Sequence, residues 1–340
     1  MKIRCFIQFL LVISMSIFVS CGTDVKKTEI KNTDTSGVKI SDELKSLNDQ
    51  LAQNPNNSDA YHLRAKYYFA DKKYEAGFAD INAALKLDSS KSAYYLTLAD
   101  LCFVSNQTGK AKTALEKSIK LDSKNVDAML NLAELYLYVR KHEKSIEYIN
   151  MALKINQYNA KAYFMKGMNY KELKDTLKAI SSMQTAVEQD QLYYAAYMQL
   201  GILCAAKKNK LAIQYYKNAI RIQPKSIESW YDLGKCYQDM QDWNNSLGAY
   251  TSLLQIDAKN KYAHYNMGVI NLMIFKKYEE AISHFSEAIK IEPKYVEAYY
   301  SRGISQKLKG DTKKALLDFQ ACIDINPSFK PAELELKKVN

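Results

Sequence analysis

The sequence predicts an all-α protein, built as a solenoid of about eight stacked helical hairpins. The main observation is a ladder of small residues separated by 34, 34, 34, 34, 33, 34 and 35 residues. Self-similarity with a period of about 20–50 residues is typical of architectures in which each repeat is one supersecondary motif. The ladder consists of Ala65, Ala99, Ala133, Gly167, Gly201, Gly234, Gly268 and Gly303.

Two further ladders accompany the first, one about 12 residues behind it and the other seven residues beyond that. Small residues where two helices cross let the helices approach closely, and a bulkier residue would push them apart. The second ladder is Gly77, Ala111, Ser145, Ala179, Ala212, Ser246, Ala281 and Ala315, and the third is Ala84, Ser118, Ala152, Ala186, Ala219, Leu253, Ala288 and Cys322.

Each repeat is predicted to form a helix A, a polar turn and a helix B, as the sixth repeat illustrates. Its first apolar stripe has the spacing i, i+3, i+4 and i+7, which places the residues on one side of a helix. The first stripe is Trp230, Leu233, Gly234 and Tyr237, the turn is Gln241-Asp242, and the second stripe is Ser246, Tyr250 and Leu253.

These repeats resemble the tetratricopeptide repeat (TPR) family, whose pattern places aromatic, Leu-Gly, Tyr, Ala, aromatic, Ala and Pro residues at set offsets. Repeat 8 carries Tyr299, Gly303, Ala315, Phe319 and Pro327 at these offsets. The resemblance covers 272 of 340 residues and implies a right-handed superhelical solenoid that is a binding surface. The eight repeats are placed at 58–91, 92–125, 126–159, 160–193, 194–226, 227–260, 261–295 and 296–329.

The ends of the solenoid are predicted to carry capping helices, because a terminal repeat otherwise exposes its stacking face. The N-terminal cap is placed at 41–57, with Ser41 as the N-cap and Leu44, Leu47 and Leu51 on its apolar side. The C-terminal cap is placed at 330–340, with Pro331 at the start of the helix. No second domain is left to assign.

The first 21 residues indicate export. A basic start is followed by an apolar run from Cys5 to Val19, which is shorter than the about 20 residues that a membrane span needs. Val19-Ser20-Cys21 resembles the lipobox of bacterial lipoproteins; the alternative is an ordinary cleaved signal with a chance cysteine. The resemblance implies a signal peptide at 1–20, a lipidated Cys21 with a flexible tether at 21–40, and a lipid-anchored protein of the bacterial envelope, at the outer membrane facing the periplasm.

The sequence argues against an enzyme and predicts neither a cofactor nor a metal site. No pair among His62, His142, His264 and His284 has metal-ligand spacing, and no nucleophile or phosphate-binding motif is present. Asp and Glu are spread over predicted solvent faces, so no acid–base pair is evident. The net charge of +11 reflects scattered lysines, which favours a solvated surface over nucleic-acid binding. The four other cysteines, Cys102, Cys204, Cys236 and Cys322, are expected to be buried free thiols.

The A helices line a concave groove in the TPR family, and the corresponding positions here are rich in apolar and aromatic residues. Such a surface usually marks an interaction site. The expected ligand is an amphipathic helix or an apolar extended segment of a protein partner, an envelope enzyme or an assembly component. One alternative is that superhelical coiling buries some of these side chains within the stack. The other is that the groove is self-occupied, by the protein's own linker or by a second copy in a structural homo-oligomer such as a homodimer. The predicted groove residues are Leu96, Phe103, Leu130, Asn131, Tyr138, Phe164, Met165, Met168, Met198, Ile202, Tyr231, Tyr265, Asn266, Val269, Tyr300 and Ile304.

Two known TPR ligand modes do not fit these positions. The carboxylate clamp, which holds acidic chaperone C-termini, needs a set of Lys, Arg and Asn residues that the first three repeats lack. The asparagine ladder, which grips an extended peptide backbone, needs Asn at the sixth position of every repeat, and only Asn131 and Asn266 provide it.

Overall fold

A computed structural model describes residues 41–338, and the regular secondary structure of that range is entirely helical. The predicted all-α fold of helical hairpins is thereby confirmed. The predicted signal peptide at 1–20, Cys21 and the tether to residue 40 lie outside the described residues, as do the last two residues of the predicted C-terminal cap. The chain divides into two compact units at Ser90–Lys91.

The N-terminal unit contains α1 (Asp42–Gln53), α2 (Ser58–Ala70) and α3 (Tyr74–Leu87). The Ser41 hydroxyl caps α1 by accepting a hydrogen bond from the Leu44 amide at 3.2 Å. Leu44, Leu47 and Leu51 are buried, and the last two pack against Ala60 of α2. Helix α1 therefore covers one side of the first hairpin, within the range where the sequence places a capping helix.

The C-terminal unit contains seven hairpins and a final helix, and each predicted repeat range holds one A helix and one B helix. Helix α18 packs on the last hairpin through Ala332. The hairpins are α4 (Ser92–Val104) with α5 (Thr108–Leu121), α6 (Val126–Tyr138) with α7 (His142–Ile155), α8 (Ala160–Glu172) with α9 (Thr176–Gln189), α10 (Tyr194–Ala206) with α11 (Leu211–Ile222), α12 (Ile227–Asp239) with α13 (Trp243–Ile256), α14 (Lys261–Ile270) with α15 (Tyr278–Ile291) and α16 (Val296–Lys309) with α17 (Thr312–Ile325), followed by α18 (Lys330–Lys337).

The small-residue ladder lies where helix A crosses helix B, as predicted. At the five glycines of the ladder, a Cβ would lie only 2.6–2.7 Å from a side-chain atom of the B helix. The B-helix residue that fills this space is Met183, Tyr216, Tyr250, Phe285 or Phe319. The glycines therefore make room for large side chains at the helix crossing.

The turn between helix A and helix B has the same backbone geometry in every repeat. One residue has a left-handed conformation, with φ between 54° and 63° at the seven non-glycine positions and 102° at Gly310. The next amide donates a hydrogen bond of 2.8–2.9 Å to a carbonyl near the end of helix A, and so satisfies a carbonyl that the helix leaves free. The left-handed residues are Lys72, Asn106, Arg140, Lys174, Lys208, Gln241, Lys276 and Gly310.

Two repeats depart from 34 residues, and the structure shows where the difference is absorbed. In the 35-residue repeat, α14 continues into a π-helix at Asn271–Phe275. The hydrogen bond that closes the turn runs from the Lys277 amide to the Asn271 carbonyl at 2.9 Å. In the 33-residue repeat, α11 has 12 residues where every other B helix has 14. An inserted residue thus widens helix A, whereas a missing residue shortens helix B.

Candidate protein-binding face

Side chains of successive A helices meet along one face of the C-terminal unit, here called the A-helix face. Helix α6 contacts both α4 and α8 directly, and α10 contacts α12. The rings of Phe103 and Tyr138 meet edge to face with centroids 5.9 Å apart. Lys171 donates a hydrogen bond to Gln199 at 2.6 Å, which joins α8 to α10. The face is therefore a continuous surface that several repeats build together.

Four residues predicted for an exposed groove are buried, and their assignment to it is wrong. Leu130, Phe164, Met165 and Met198 have exposed fractions of 1%, 3%, 5% and 3%. The Phe164 ring meets that of Tyr193 at 5.1 Å, and the Met198 sulfur accepts a hydrogen bond from the Ser229 hydroxyl. These long side chains pack in clusters shared by neighbouring repeats, Leu130 with Met165 in one and Phe164 with Met198 in another, so they contribute to stacking.

The other predicted groove residues keep part of their surface accessible. Tyr138 is the most exposed, at 59%. The remaining eleven are half-buried on the A helices: Leu96, Phe103, Asn131, Met168, Ile202, Tyr231, Tyr265, Asn266, Val269, Tyr300 and Ile304. Their role in binding stays a prediction.

A charged network on α4, α6 and α8 was missed by the sequence analysis, which treated the acidic residues as solvated. The Asp100 carboxylate accepts a hydrogen bond from the Asn131 amide at 2.8 Å. Lys161 and Glu134 form an ion pair of 3.6 Å beside it. Burial of the Asp100 carboxyl raises its pKa to about 7, although Lys161 opposes that change. The sequence does contain a signal for this network. Asp100 and Glu134 occupy the same repeat position, and that position faces the neighbouring A helix.

A second acidic pair lies on α12. Glu228 and Asp232 are one turn apart, and neither carboxylate has a hydrogen bond or an ion pair within residues 41–338. Burial, and then the neighbouring Glu228 carboxylate, raise the pKa of the Asp232 carboxyl to about 6, although Lys235 opposes the change. Burial also raises the pKa of Glu228. Asp232 is thus a half-buried carboxyl group, whereas Glu228 is exposed in the first turn of the helix, where the helix dipole favours a negative charge.

Four tyrosines of α12, α14 and the loop before α16 form a ring cluster. Tyr262 of α14 meets Tyr231 of α12 with centroids 6.4 Å apart, and meets Tyr295 at 6.5 Å. Tyr265 lies against Tyr295 at 5.1 Å. The Lys261 ammonium lies 4.8 Å from the Tyr262 centroid and 5.3 Å from that of Tyr295, and pairs with Glu292. The cluster therefore already holds one cation against its rings.

Two histidines that are distant in sequence also meet, which their spacing did not indicate. The Nδ1 atoms of His264 and His284 are 3.4 Å apart, and the His264 Nε2 atom lies 3.3 Å from the Ala258 carbonyl oxygen. Burial, and then His264, lower the pKa of His284. No group of three His, Cys, Asp or Glu side chains able to hold a metal occurs among residues 41–338.

The four cysteines of the described range are buried free thiols, as predicted. Burial raises the pKa of the Cys236 thiol to about 11, so this thiol is unreactive near neutral pH. Within residues 41–338, no helix has the length and apolar character needed to cross a membrane.

Profiles of the tetratricopeptide repeat match the chain at 96–160, 160–191, 228–259 and 296–329, and a TPR repeat profile matches 276–310. Together the matches span more than half of the chain. The matches at 160–191, 228–259 and 296–329 each begin within one residue of a predicted repeat.

Parts of the chain are also similar in sequence to curated proteins. The chain is 24% identical over 104 residues to serine/threonine-protein phosphatase 5 of Homo sapiens, covering 31% of this chain and 21% of that protein. It is 43% identical over 54 residues to Hsp70-Hsp90 organizing protein 3 of Arabidopsis thaliana, covering 16% of this chain and 10% of that protein. The chain therefore spans about a fifth or less of these relatives.

The C-terminal part of a TPR repeat-containing protein from Cytophaga hutchinsonii shares the fold, with a TM-score of 0.62 and 19% identity over 69% of this chain and 96% of that one. Repeats of this kind mediate protein–protein interactions and are typically non-enzymatic scaffolds. With the repeat profiles, the hairpin architecture and the shared fold, the chain belongs to the tetratricopeptide repeat family.

Proposed function

We propose that this protein is a non-enzymatic scaffold of the bacterial envelope, anchored by lipid at Cys21, which binds a segment of a partner protein along the A-helix face. The observation that carries the proposal is the set of exposed apolar and aromatic side chains on A helices. Tyr138, Tyr262, Met273 and Leu308 are each at least half exposed, so stacking does not account for them. Surfaces of this kind mark interaction sites.

The partner is tested by crosslinking in cells from a photoreactive residue that replaces Tyr138. Tyr158 provides a matched control, because it is an exposed tyrosine in a loop after a B helix, away from the A-helix face. We expect a heterologous protein to be captured from position 138 and not from position 158. Capture of this protein alone would contradict the proposal and favour the structural homo-oligomer with a self-occupied groove.

The anchor rests on the sequence of residues 1–21 and needs its own test. We expect labelled palmitate to be incorporated into the wild-type chain and not into Cys21→Ser. Equal labelling of both proteins, or of neither, would exclude lipidation at Cys21 while leaving the crosslinking result unaffected. The membrane and the side that it faces follow from fractionation of the labelled cells.

A further inference from the structure

Basic residues of the C-terminal unit are concentrated at three consecutive A–B turns, those of repeats 3 to 5. These turns, together with the first three residues of the B helices that follow them, contain eight basic residues and two acidic ones. The same stretch in each of the other four hairpins of this unit has a net charge of +1 or less. We call the three stretches the basic edge, which consists of residues 139–144, 173–178 and 207–213.

The opposite ends of the same hairpins provide an internal comparison. The loops after the B helices of repeats 3 to 5, with the first three residues of the following A helices, contain two basic and two acidic residues. These loop stretches are residues 156–162, 190–196 and 223–229. The excess of positive charge is therefore a property of one edge and not of these repeats as a whole.

Six of the eight basic side chains are exposed and have no carboxylate within ion-pair distance among residues 41–338. The other two have partners: the Lys144 ammonium lies against the Tyr136 ring, and Lys178 pairs with Asp175 at 2.9 Å. The described part of the chain therefore leaves most of this charge unneutralised. The six are Arg140, Lys141, Lys174, Lys207, Lys208 and Lys210.

Large apolar side chains lie among these cations. Leu177 is 74% exposed and Leu211 is 52% exposed, and Val139 and Leu173 are exposed as well. Exposed apolar surface is unfavourable in water, so its concentration on a surface usually marks an interaction site. None of the other four A–B turns described in this unit has an exposed large apolar residue in the same stretch. Charge and apolar exposure thus coincide on the same three turns.

Contacts between repeats place these turns side by side. The rings of Phe103 and Tyr138 meet at the last turns of α4 and α6, so neighbouring A helices run parallel and end together. The His142 Nδ1 atom, at the start of α7, lies 3.2 Å from the side-chain oxygen of Asn169, in the last turn of α8. The hydrogen bond between Lys171 and Gln199 continues the row to α10. The basic edge is therefore one surface built from three repeats.

We infer that the basic edge binds the surface of an anionic lipid bilayer. The lysines and Arg140 contact the headgroups, while Leu173, Leu177 and Leu211 enter the boundary between headgroups and acyl chains. A nucleic acid or an acidic polysaccharide would satisfy the cations and leave the leucines in water. The inference goes beyond the proposed function, because this contact is separate from Cys21 and from the A-helix face.

The test uses the full-length protein on lipid vesicles, with an environment-sensitive fluorophore attached at Leu177→Cys. The cysteines of the described range are buried, and the unsubstituted protein treated in the same way gives the background. On vesicles of phosphatidylcholine and phosphatidylglycerol, we expect the emission to rise at least about twofold and to move to shorter wavelength, an effect that added salt reverses. On phosphatidylcholine alone, we expect no change.

Leu192→Cys is the matched control for position. Leu192 is 66% exposed and belongs to the same repeat as Leu177, but it lies in the loop after the B helix, at the opposite edge. A fluorophore there should give the same emission on both kinds of vesicle as in buffer.

Two triple variants, each made with Leu177→Cys, test the role of charge. Lys141→Gln/Lys207→Gln/Lys210→Gln removes three unpaired cations without touching a left-handed turn residue, and should reduce the emission rise at least about threefold. Lys225→Gln/Lys259→Gln/Lys294→Gln removes three exposed lysines from loops at the opposite edge and should leave the rise unchanged. Circular dichroism checks that both variants remain helical.

Several results would overturn the assignment. These are no rise at position 177, an equal rise at 177 and 192, an equal rise on both kinds of vesicle, or an equal loss in the two triple variants. A rise with polyglutamate and none with vesicles would assign the edge to an acidic protein segment instead. The fluorophore reports only the surroundings of its own position, so these results are distinct from lipidation at Cys21 and from crosslinking at position 138.

Discussion

The ring of Tyr216 lies directly over the Cα of Gly201, so that a Cβ on Gly201 would be 2.6 Å from the ring atom Cε1. Repeats 4 to 8 all combine glycine with Met, Tyr or Phe at this crossing. Repeats 1 to 3 have alanine on helix A, and their B-helix residues at the corresponding position are Ile81, Leu115 and Ile149, which are smaller than an aromatic ring. The total volume at the crossing is thus conserved while its distribution between the two helices changes.

We predict that Gly201→Ala destabilises the C-terminal unit by about 1–3 kcal/mol, because the added methyl overlaps the Tyr216 ring. Gly201→Ala/Tyr216→Leu should recover most of that loss, since it reproduces the combination of Ala99 and Leu115 found in repeat 2. The measurement is the free energy of unfolding in urea. Gly248→Ala is the control: it adds a methyl with no atom within 4 Å inside α13, and should stabilise by about 0.5–1 kcal/mol. A double variant no more stable than Gly201→Ala would contradict the packing argument.

Arg302 and Asp318 form a two-bond ion pair, with N–O distances of 2.7 and 2.8 Å. We predict that Arg302→Leu alone costs about 3–5 kcal/mol, because it leaves the buried Asp318 carboxylate without its partner. Arg302→Leu/Asp318→Ala should be much less destabilising, since repeat 6 has Leu233 and Ala249 at the same two positions. Hydrogen exchange of α16 and α17 measures both effects locally. Equal protection of the two variants would show that the charge of Asp318 is not the cause.

Asp100 makes stability depend on pH. Its pKa is raised from 3.8 to about 7 in the folded protein, so the folded state holds the proton more tightly than the unfolded state does. The contribution is therefore present below pH 4 and is lost as the pH rises to about 7, by up to about 4 kcal/mol.

We predict that Asp100→Asn removes this pH dependence and is more stable than the wild type at pH 8, because the amide carries no charge and its oxygen can still accept the Asn131 hydrogen bond. The measurement is the free energy of unfolding of both proteins at several pH values between 4 and 8. Parallel curves for the two proteins would exclude Asp100 as the titrating group.

The π-helix at Asn271–Phe275 absorbs one inserted residue, so its removal should be tolerated. We predict that deletion of Met273 restores a 34-residue repeat with a regular A helix and keeps the thermal midpoint within a few degrees. Deletion of Leu132 from the middle of the regular helix α6 is the control, and should be severely destabilising because every later residue of that helix, from Ala133 to Tyr138, rotates by about 100°. Similar losses for both deletions would contradict this account of the insertion.

The predicted binding face was only partly correct, for a physical reason. Repeat positions identify which side of helix A a residue occupies, and this placed Tyr138 and Tyr265 on the A-helix face. They do not show how far neighbouring repeats cover that side, so Phe164 and Met198 were assigned to the surface although they are buried. The acidic pair was missed because its desolvation arises from neighbouring repeats.

The sequence by itself determined the helical hairpins, their register, the close crossing at each small residue and the presence of one long and one short repeat. These features are local, because each depends on residues a few turns apart within one repeat. The tertiary structure decided that the extra residue forms a π-helix in helix A, that His264 meets His284, and that burial raises the pKa of the Asp100 and Asp232 carboxyl groups. Those outcomes depend on contacts between helices, whose distances and burial are set only when the repeats stack.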